Sequence, residues 1–279
     1  MKCNLIVPGF AKCGTSSLHE YLNLHPEICM SSEKEPHYFS KKDVYGRGAD
    51  WHDSLFEPQQ ADVRVFGESS TSYSVWEPAL VRIKQELHNP KCIVIVREPL
   101  ERLLSHYRWM YALGLEQKDL HSAIEAEVVA PITPEIHRGG CYPWYLRASN
   151  YSHFIPLIKM IFSEKNVLTL RTEDLAKKPQ ELLSRCFQFL GLEDYDLRNI
   201  EIKSNQTDEK KARRGTGLGP IYKKFPQPVQ NLIEPGRKRL CALMGSRKLV
   251  APMPDDQFLQ ELRENLSTDL LEYERVEAI

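Results

Sequence analysis

The chain has 279 residues and a formal net charge of −1. That length supports a substantial core, as one large α/β domain or two small ones, and that charge excludes bulk attraction to nucleic acid or to anionic membranes. No apolar run approaches the ~18–20 residues that span a bilayer, so basic clusters and short motifs must carry any functional argument.

Met1-Lys2-Cys3 leads straight into the apolar run Leu5-Ile6-Val7. The run is too short for a signal-peptide core, and no small-residue cleavage site follows it. The expectation is a soluble, cytoplasmic protein without a membrane span, although a chain trimmed of an N-terminal anchor would read the same. After this first strand comes Val7-Pro-Gly-Phe-Ala-Lys-Cys-Gly-Thr-Ser-Ser-Leu18, then a helical pattern from Leu18 to Leu24. Strand, Gly-bounded loop and helix form a phosphate cradle, in which loop N–H groups and the helix dipole stabilise an anion. Gly9 and Gly14 meet the Walker spacing, but Thr15 stands where its lysine belongs and Lys12 lies three residues earlier. Gly14 lets the backbone approach a phosphate, Thr15, Ser16 and Ser17 offer hydroxyls, and Lys12 offers a point charge. The same loop could merely cap a helix. Cys13, near the helix N-terminus and beside Lys12, is either a thiol of lowered pKa or a small side chain fitting a tight loop.

Lys34-Glu-Pro-His-Tyr-Phe39 follows. Pro36 biases Glu35 toward an extended backbone, where alternate residues share a face, so Glu35 and His37 are expected to point the same way. Both are proton-transfer groups; the alternative is a surface loop with an aromatic anchor. A weaker strand, Val63–Phe66, leads into Glu68-Ser-Ser-Thr-Ser-Tyr73, which either lines a pocket or forms a Ser/Thr-capped turn. Ala79–Leu87 reads as a helix. Cys92–Val96 is a buried strand ending at Arg97, where a Mg-dependent P-loop enzyme usually places an acidic metal ligand. A guanidinium there favours a second anion, unless it pairs with Glu98 or another carboxylate. Pro99 opens a helix to Leu113, and Ser105 lies on it, eight residues past Arg97.

Tyr142, Trp144 and Tyr145 could stack on sugar rings or belong to the core, and so could Trp51, His52 and Trp76. Tyr151–Phe162 reads as a helix, Val167–Leu170 as a strand and Gln180–Leu190 as a helix. Continuous apolar strands alternating with helices predict a mainly parallel sheet covered on both faces, with ligands at the strands' C-terminal ends. The basic run Lys210–Gly215 is more often a solvated loop than a site, yet Lys211, Arg213, Arg214 and Gly215 could close over a second phosphate. Helices are expected near Pro228–Met244 and Asp255–Val276, packed on one domain spanning 1–279. The seven cysteines (Cys3, Cys13, Cys29, Cys92, Cys141, Cys186 and Cys241) are spread without a C-x-x-C pair, which argues against a disulfide framework or a zinc site.

Together these segments resemble the sulfotransferases that use 3′-phosphoadenosine-5′-phosphosulfate (PAPS). Lys12-Cys13-Gly14-Thr15 is similar to the Lys-x-Gly-Thr core of that family's 5′-phosphosulfate loop. Arg97-Glu98-Pro99 with Ser105-His106-Tyr107 is similar to its 3′-phosphate motif, and Lys34–Phe39 to a segment of the carbohydrate, heparan-sulfate-type branch. Glu173-Asp174-Leu175 and Phe189–Leu192 resemble later landmarks. The resemblance covers roughly residues 4–195. It implies a P-loop NTPase-like three-layer fold, PAPS as donor and no required metal. Lys12 and the loop, Cys13 to Ser17, would hold the 5′ end; Arg97 and Ser105 would hold the 3′-phosphate; Glu35 would be the base with His37 beside it. The acceptor would be a carbohydrate, with lipid, polyketide or peptide tyrosine as alternatives. The chain departs from the family where Glu68-Ser69 replaces Glu-Lys, so that an assisting second lysine is absent or supplied from elsewhere, such as Lys34. It departs again at Cys13, and the basic loop matches only loosely. Two other functions stay open: a P-loop kinase, disfavoured by Thr15 and by the missing acid after Val96, and a non-catalytic nucleotide- or glycan-binding relative.

Overall fold

The computed structural model describes residues 1–58, 60–130, 142–197 and 250–279. Five parallel strands form one sheet: β1 (Leu5–Val7), β2 (Ile28–Met30), β3 (Val65–Ser69), β4 (Lys91–Val96) and β5 (Val167–Arg171), in the order β2-β3-β1-β4-β5. The register pairs Leu5 with Gly67 on one side and with Lys91 on the other, placing β1 at the centre. Because β1 lies between β3 and β4, the loop after β1 emerges between the ends of both neighbours. Val7, Ile93, Val94, Ile95 and Val96 are fully buried, as expected of strands covered on both faces.

Parallel neighbours require crossover connections, and helices supply them. α1 (Thr15–Leu22) follows the loop. α2 (Lys42–Tyr45) and α3 (Ala49–Asp53) precede β3, and α4 (Glu77–Glu86) precedes β4. α5 (Pro99–Ala112) opens with Pro99, and the Glu98 carboxylate accepts from the Glu101 amide at 2.6 Å, so the helix start is both pre-set and capped. After α6 (Leu120–Val129), α7 (Tyr151–Phe162) begins where the Asn150 side chain accepts from His153 N–H. α8 (Thr172–Lys177) and α9 (Pro179–Leu190) follow β5. The single helix expected over 255–276 is instead α10 (Asp256–Asn265) and α11 (Ser267–Glu274), broken at Leu266. Leu266 itself is buried beside Leu262, Leu100 and Leu104. The helix expected near 228–244 and the basic loop residues Lys211, Arg213, Arg214 and Gly215 lie outside the described residues. Among the described residues, no helix is long and apolar enough to cross a membrane.

Candidate active site

The loop between β1 and α1 is fastened to β4 by Phe10 N–H donating to Ile95 O (2.9 Å) and Ile95 N–H donating to Gly9 O (3.0 Å). Gly9 has no room for a side chain, since a Cβ would collide with Ser74 Oγ. At the far end the Thr172 hydroxyl lies 2.6 Å from Cys13 O and 2.9 Å from Val96 O, joining the loop to the ends of β4 and β5. Gly14 then turns the chain into α1 with φ 83, a left-handed conformation that glycine adopts without strain. No side chain caps α1 and its first turn carries no acid, so its leading N–H groups and positive dipole end remain suited to an anion. Lys12 also has a positive φ, 69, and its ammonium rests 4.9 Å from the centre of the Trp109 ring on α5.

Cys13 is fully buried, with Sγ 3.6 Å from the Tyr151 hydroxyl. Burial outweighs the nearby Arg102 charge and pushes the thiol up to about 11. Of the two readings of this thiol, burial favours the small side chain fitting a tight loop, and the Cys13 N–H is itself engaged by Phe10 O at 3.3 Å.

Arg97 stands at the end of β4, where the Tyr151 hydroxyl donates to its carbonyl at 3.0 Å. Its guanidinium pairs with Glu101 at 3.2 Å, not with Glu98, whose carboxylate is spent on capping α5. This pair sits at the exposed rim, where an ion pair contributes at most about 1 kcal/mol, so Arg97 remains able to exchange Glu101 for another anion. Ser105 is half-buried in α5, two turns further on.

Glu35 has φ 62 and His37 φ 56. The extended backbone expected at Glu35 is thus replaced by left-handed geometry, which the surrounding polar contacts must hold. Glu35 N–H donates to Ser69 O (2.9 Å) and His37 N–H to Ser70 Oγ (3.0 Å), which hangs this segment from the end of β3. The Glu35 carboxylate accepts from Thr71 N–H (2.9 Å) and the Thr71 hydroxyl (3.2 Å), and Lys34 Nζ lies 2.6 Å from its other oxygen. His37 Nδ1 meets Ser72 Oγ at 2.9 Å, and Nε2 lies 3.6 Å from Glu35 Oε2. The two groups do share a face, as expected, but through the loop after β3 and not through strand alternation. Burial lowers the His37 pKa to about 4 against the opposing pull of Glu35, so the ring is neutral at pH 7. Glu35 keeps 21% of its side-chain surface, which leaves a carboxylate both oriented and reachable.

The buried Glu68–Tyr73 run turns at Ser70–Tyr73 and holds Glu35 and His37. It also anchors their segment from behind: Phe39 N–H donates to the Tyr73 hydroxyl (3.2 Å), which donates to the fully buried Glu68 carboxylate (3.0 Å). Tyr142, Trp144, Tyr145 and His52 are core residues, while Trp51 and Trp76 are partly buried. Sequence reasoning missed Thr71 and Ser72 as individual holders of Glu35 and His37, and Thr172 and Trp109 as partners of the loop. Their hydroxyl-rich or aromatic character was visible; their long-range contacts were not.

A family model described as "Sulfotransferase domain" matches residues 3–217. The chain belongs to the sulfotransferase family. Relatives of this chain include the heparan sulfate glucosamine 3-O-sulfotransferase 6 of Mus musculus, 29% identical over 67% of this chain and 52% of the relative. Carbohydrate sulfotransferase 15 of Homo sapiens is 24% identical over 85% of this chain and 52% of the relative. The chain thus spans about half the length of these curated relatives. The fold matches a sulfotransferase from Alicyclobacillus acidocaldarius with a TM-score of 0.61 at 22% identity, covering 87% of this chain and 95% of that one. It also matches mouse sulfotransferase SULT7A1 complexed with PAP, with a TM-score of 0.51 at 16% identity, over 99% and 90% of the two chains. These likenesses establish the P-loop-like architecture expected from the sequence.

Proposed function

We propose that this chain transfers a sulfuryl group from PAPS to an acceptor hydroxyl or amine, with a carbohydrate as the favoured acceptor class. The observation that carries this reading is the placement of Glu35. It is a partly exposed carboxylate held by Lys34 and by Thr71, which adjoins Gly9 at the start of the loop whose uncapped helix start and Lys12 suit a leaving phosphate.

The residues divide the work. Lys12 and the N–H groups from Gly14 to Ser17 bind the 5′-phosphosulfate end and stabilise charge as it develops on the leaving oxygen. Arg97, with Ser105, holds the 3′-phosphate after exchanging Glu101 for it. Glu35 takes the proton from the acceptor as the acceptor–sulfur bond forms and the bond from sulfur to the 5′-phosphate oxygen breaks. His37, neutral at pH 7, fixes the base. Ser72 Oγ contacts both Ser40 Oγ (2.8 Å) and His37 Nδ1 (2.9 Å), and Nε2, buried without a hydrogen-bond partner, faces Glu35 at 3.6 Å. Lys34 pairs with Glu35 at 2.6 Å. The bisphosphate complex of the mouse neighbour supports the donor, and the heparan sulfate and carbohydrate sulfotransferases among the relatives support the acceptor class.

Thermal unfolding tests the reading. Adenosine 3′,5′-bisphosphate, the product, is expected to raise the melting temperature in the absence of Mg²⁺. No shift with the bisphosphate, together with a shift from Mg–ATP, would overturn it in favour of a kinase.

A further inference from the structure

Arg102 is a fully buried guanidinium to which, among the described residues, no carboxylate is hydrogen-bonded. Such a charge is strongly unfavourable unless its surroundings compensate it. Its partners are all neutral: the Ser149 hydroxyl (2.7 Å), the Tyr145 carbonyl, the Ala11 carbonyl (3.4 Å) and His106 Nδ1 (3.3 Å). Glu127, on which the Arg102 charge acts, accepts from the backbone N–H groups of Tyr145, Leu146 and Arg147.

The position of these partners matters. Ala11 immediately precedes Lys12, whose backbone is held at φ 69. A bond to the Ala11 carbonyl therefore fixes the peptide plane entering that strained residue. Arg102, His106 and Trp109 recur at helical spacing (i, i+4, i+7) along one stripe of α5. At one end of the stripe Arg102 reaches Ala11, and at the other Trp109 faces the Lys12 ammonium. The same helix begins at Pro99, two residues after Arg97. The two proposed phosphate-binding ends thus share one helix, and the cation that touches the loop at Ala11 has no bonded anion among the described residues.

We infer that Arg102 is a positioning residue for the donor: it sets the Ala11–Lys12 peptide so that Lys12 meets the 5′ end, and its unpaired charge is compensated by the anionic donor when that binds. The inference rests on the donor site proposed above. Lysine at position 102 keeps the charge but loses the planar fork that spans Ser149, Tyr145 and Ala11.

The test is calorimetric titration of wild type, Arg102→Lys and Ser149→Ala with adenosine 3′,5′-bisphosphate, alongside steady-state KM values for PAPS and for the acceptor. Arg102→Lys is expected to weaken bisphosphate binding and raise the PAPS KM by about tenfold or more, with the acceptor KM within twofold. Ser149→Ala, which removes the side-chain acceptor 2.7 Å from the guanidinium without removing charge, is expected to shift donor affinity in the same direction by a smaller factor. A merely structural role would reduce the active fraction, and hence kcat, while leaving the PAPS KM unchanged. Wild-type binding retained with both variants at wild-type affinity overturns the inference alone. If Arg102→Lys does not fold, Ser149→Ala at wild-type affinity suffices to overturn it. A wild-type chain that binds no bisphosphate overturns the donor-site reading, and this inference with it.

Discussion

The hydroxyl of Tyr73 joins the segment carrying Glu35 to the strand behind it, and Tyr73→Phe removes only that oxygen. Two buried groups lose their partner together: the amide of Phe39, at 3.2 Å, and the Glu68 carboxylate, at 3.0 Å. Tyr73, Phe39 and Glu68 are all fully buried, so water does not replace the bond. An orphaned buried amide costs about 1–3 kcal/mol, and a hydrogen bond to a charged group contributes about 1.5–3 kcal/mol. Because the two losses share one oxygen they do not simply add, and a destabilisation of about 2–4 kcal/mol follows. For a domain of this size that lowers Tm by roughly 5–12 °C. Urea titration and differential scanning calorimetry of the two proteins measure it. A Tyr73→Phe protein within about 0.5 kcal/mol of wild type, the range of inert surface changes, would refute the anchoring role.

Other consequences are equally open to measurement. His37 and His19 are both held neutral, each at about 4, chiefly by burial, with Lys34 adding to the effect at both. The unfolded chain therefore binds more protons than the folded one between about pH 6.5 and pH 4. Stability is expected to be full above that window and to fall as pH drops through it, by up to about 3 kcal/mol per histidine; urea midpoints that stay flat from pH 7 to 4.5 would contradict this. Cys13, buried and pushed up to about 11, is expected to resist iodoacetamide at pH 7.5 in the folded protein and to react fully in urea, as read by peptide mass spectrometry. Arg97→Met is expected to weaken adenosine 3′,5′-bisphosphate about tenfold or more by removing a charge-assisted phosphate contact, with little change in Tm, because the pair it breaks with Glu101 lies at the rim.

Much of the fold was legible because it depends on local patterns. Tyr151–Phe162 matches α7 residue for residue, and Pro99 marks the start of α5. β2 was not legible: Ile28-Cys29-Met30 is three residues long, too short to display a period. α8 hid for a similar reason, as a six-residue turn directly after β5. The break at Leu266 lies inside an unbroken apolar stripe, and there packing overrides periodicity. At the site, the loop, Glu35, His37 and Arg97 stood out by residue type and order. The backbone of Glu35 did not, since the reading of Pro36 gave an extended residue where β3 and Thr71 impose φ 62. Contacts such as Thr71 to Glu35 and Arg102 to Ala11 join residues far apart in the chain, and no single-sequence spacing reports them.

The account stands or falls on sulfuryl transfer from PAPS with Glu35 as base. Incubation of wild type and Glu35→Gln with sulfur-labelled PAPS and a panel of glycan, phenol and peptide acceptors measures it directly. The account predicts labelled product from wild type, on glycans first, and a loss of about 10²–10⁴-fold in turnover for Glu35→Gln with bisphosphate affinity unchanged. Transfer by Glu35→Gln at the wild-type rate, or no transfer by wild type to any acceptor despite tight bisphosphate binding, would contradict it.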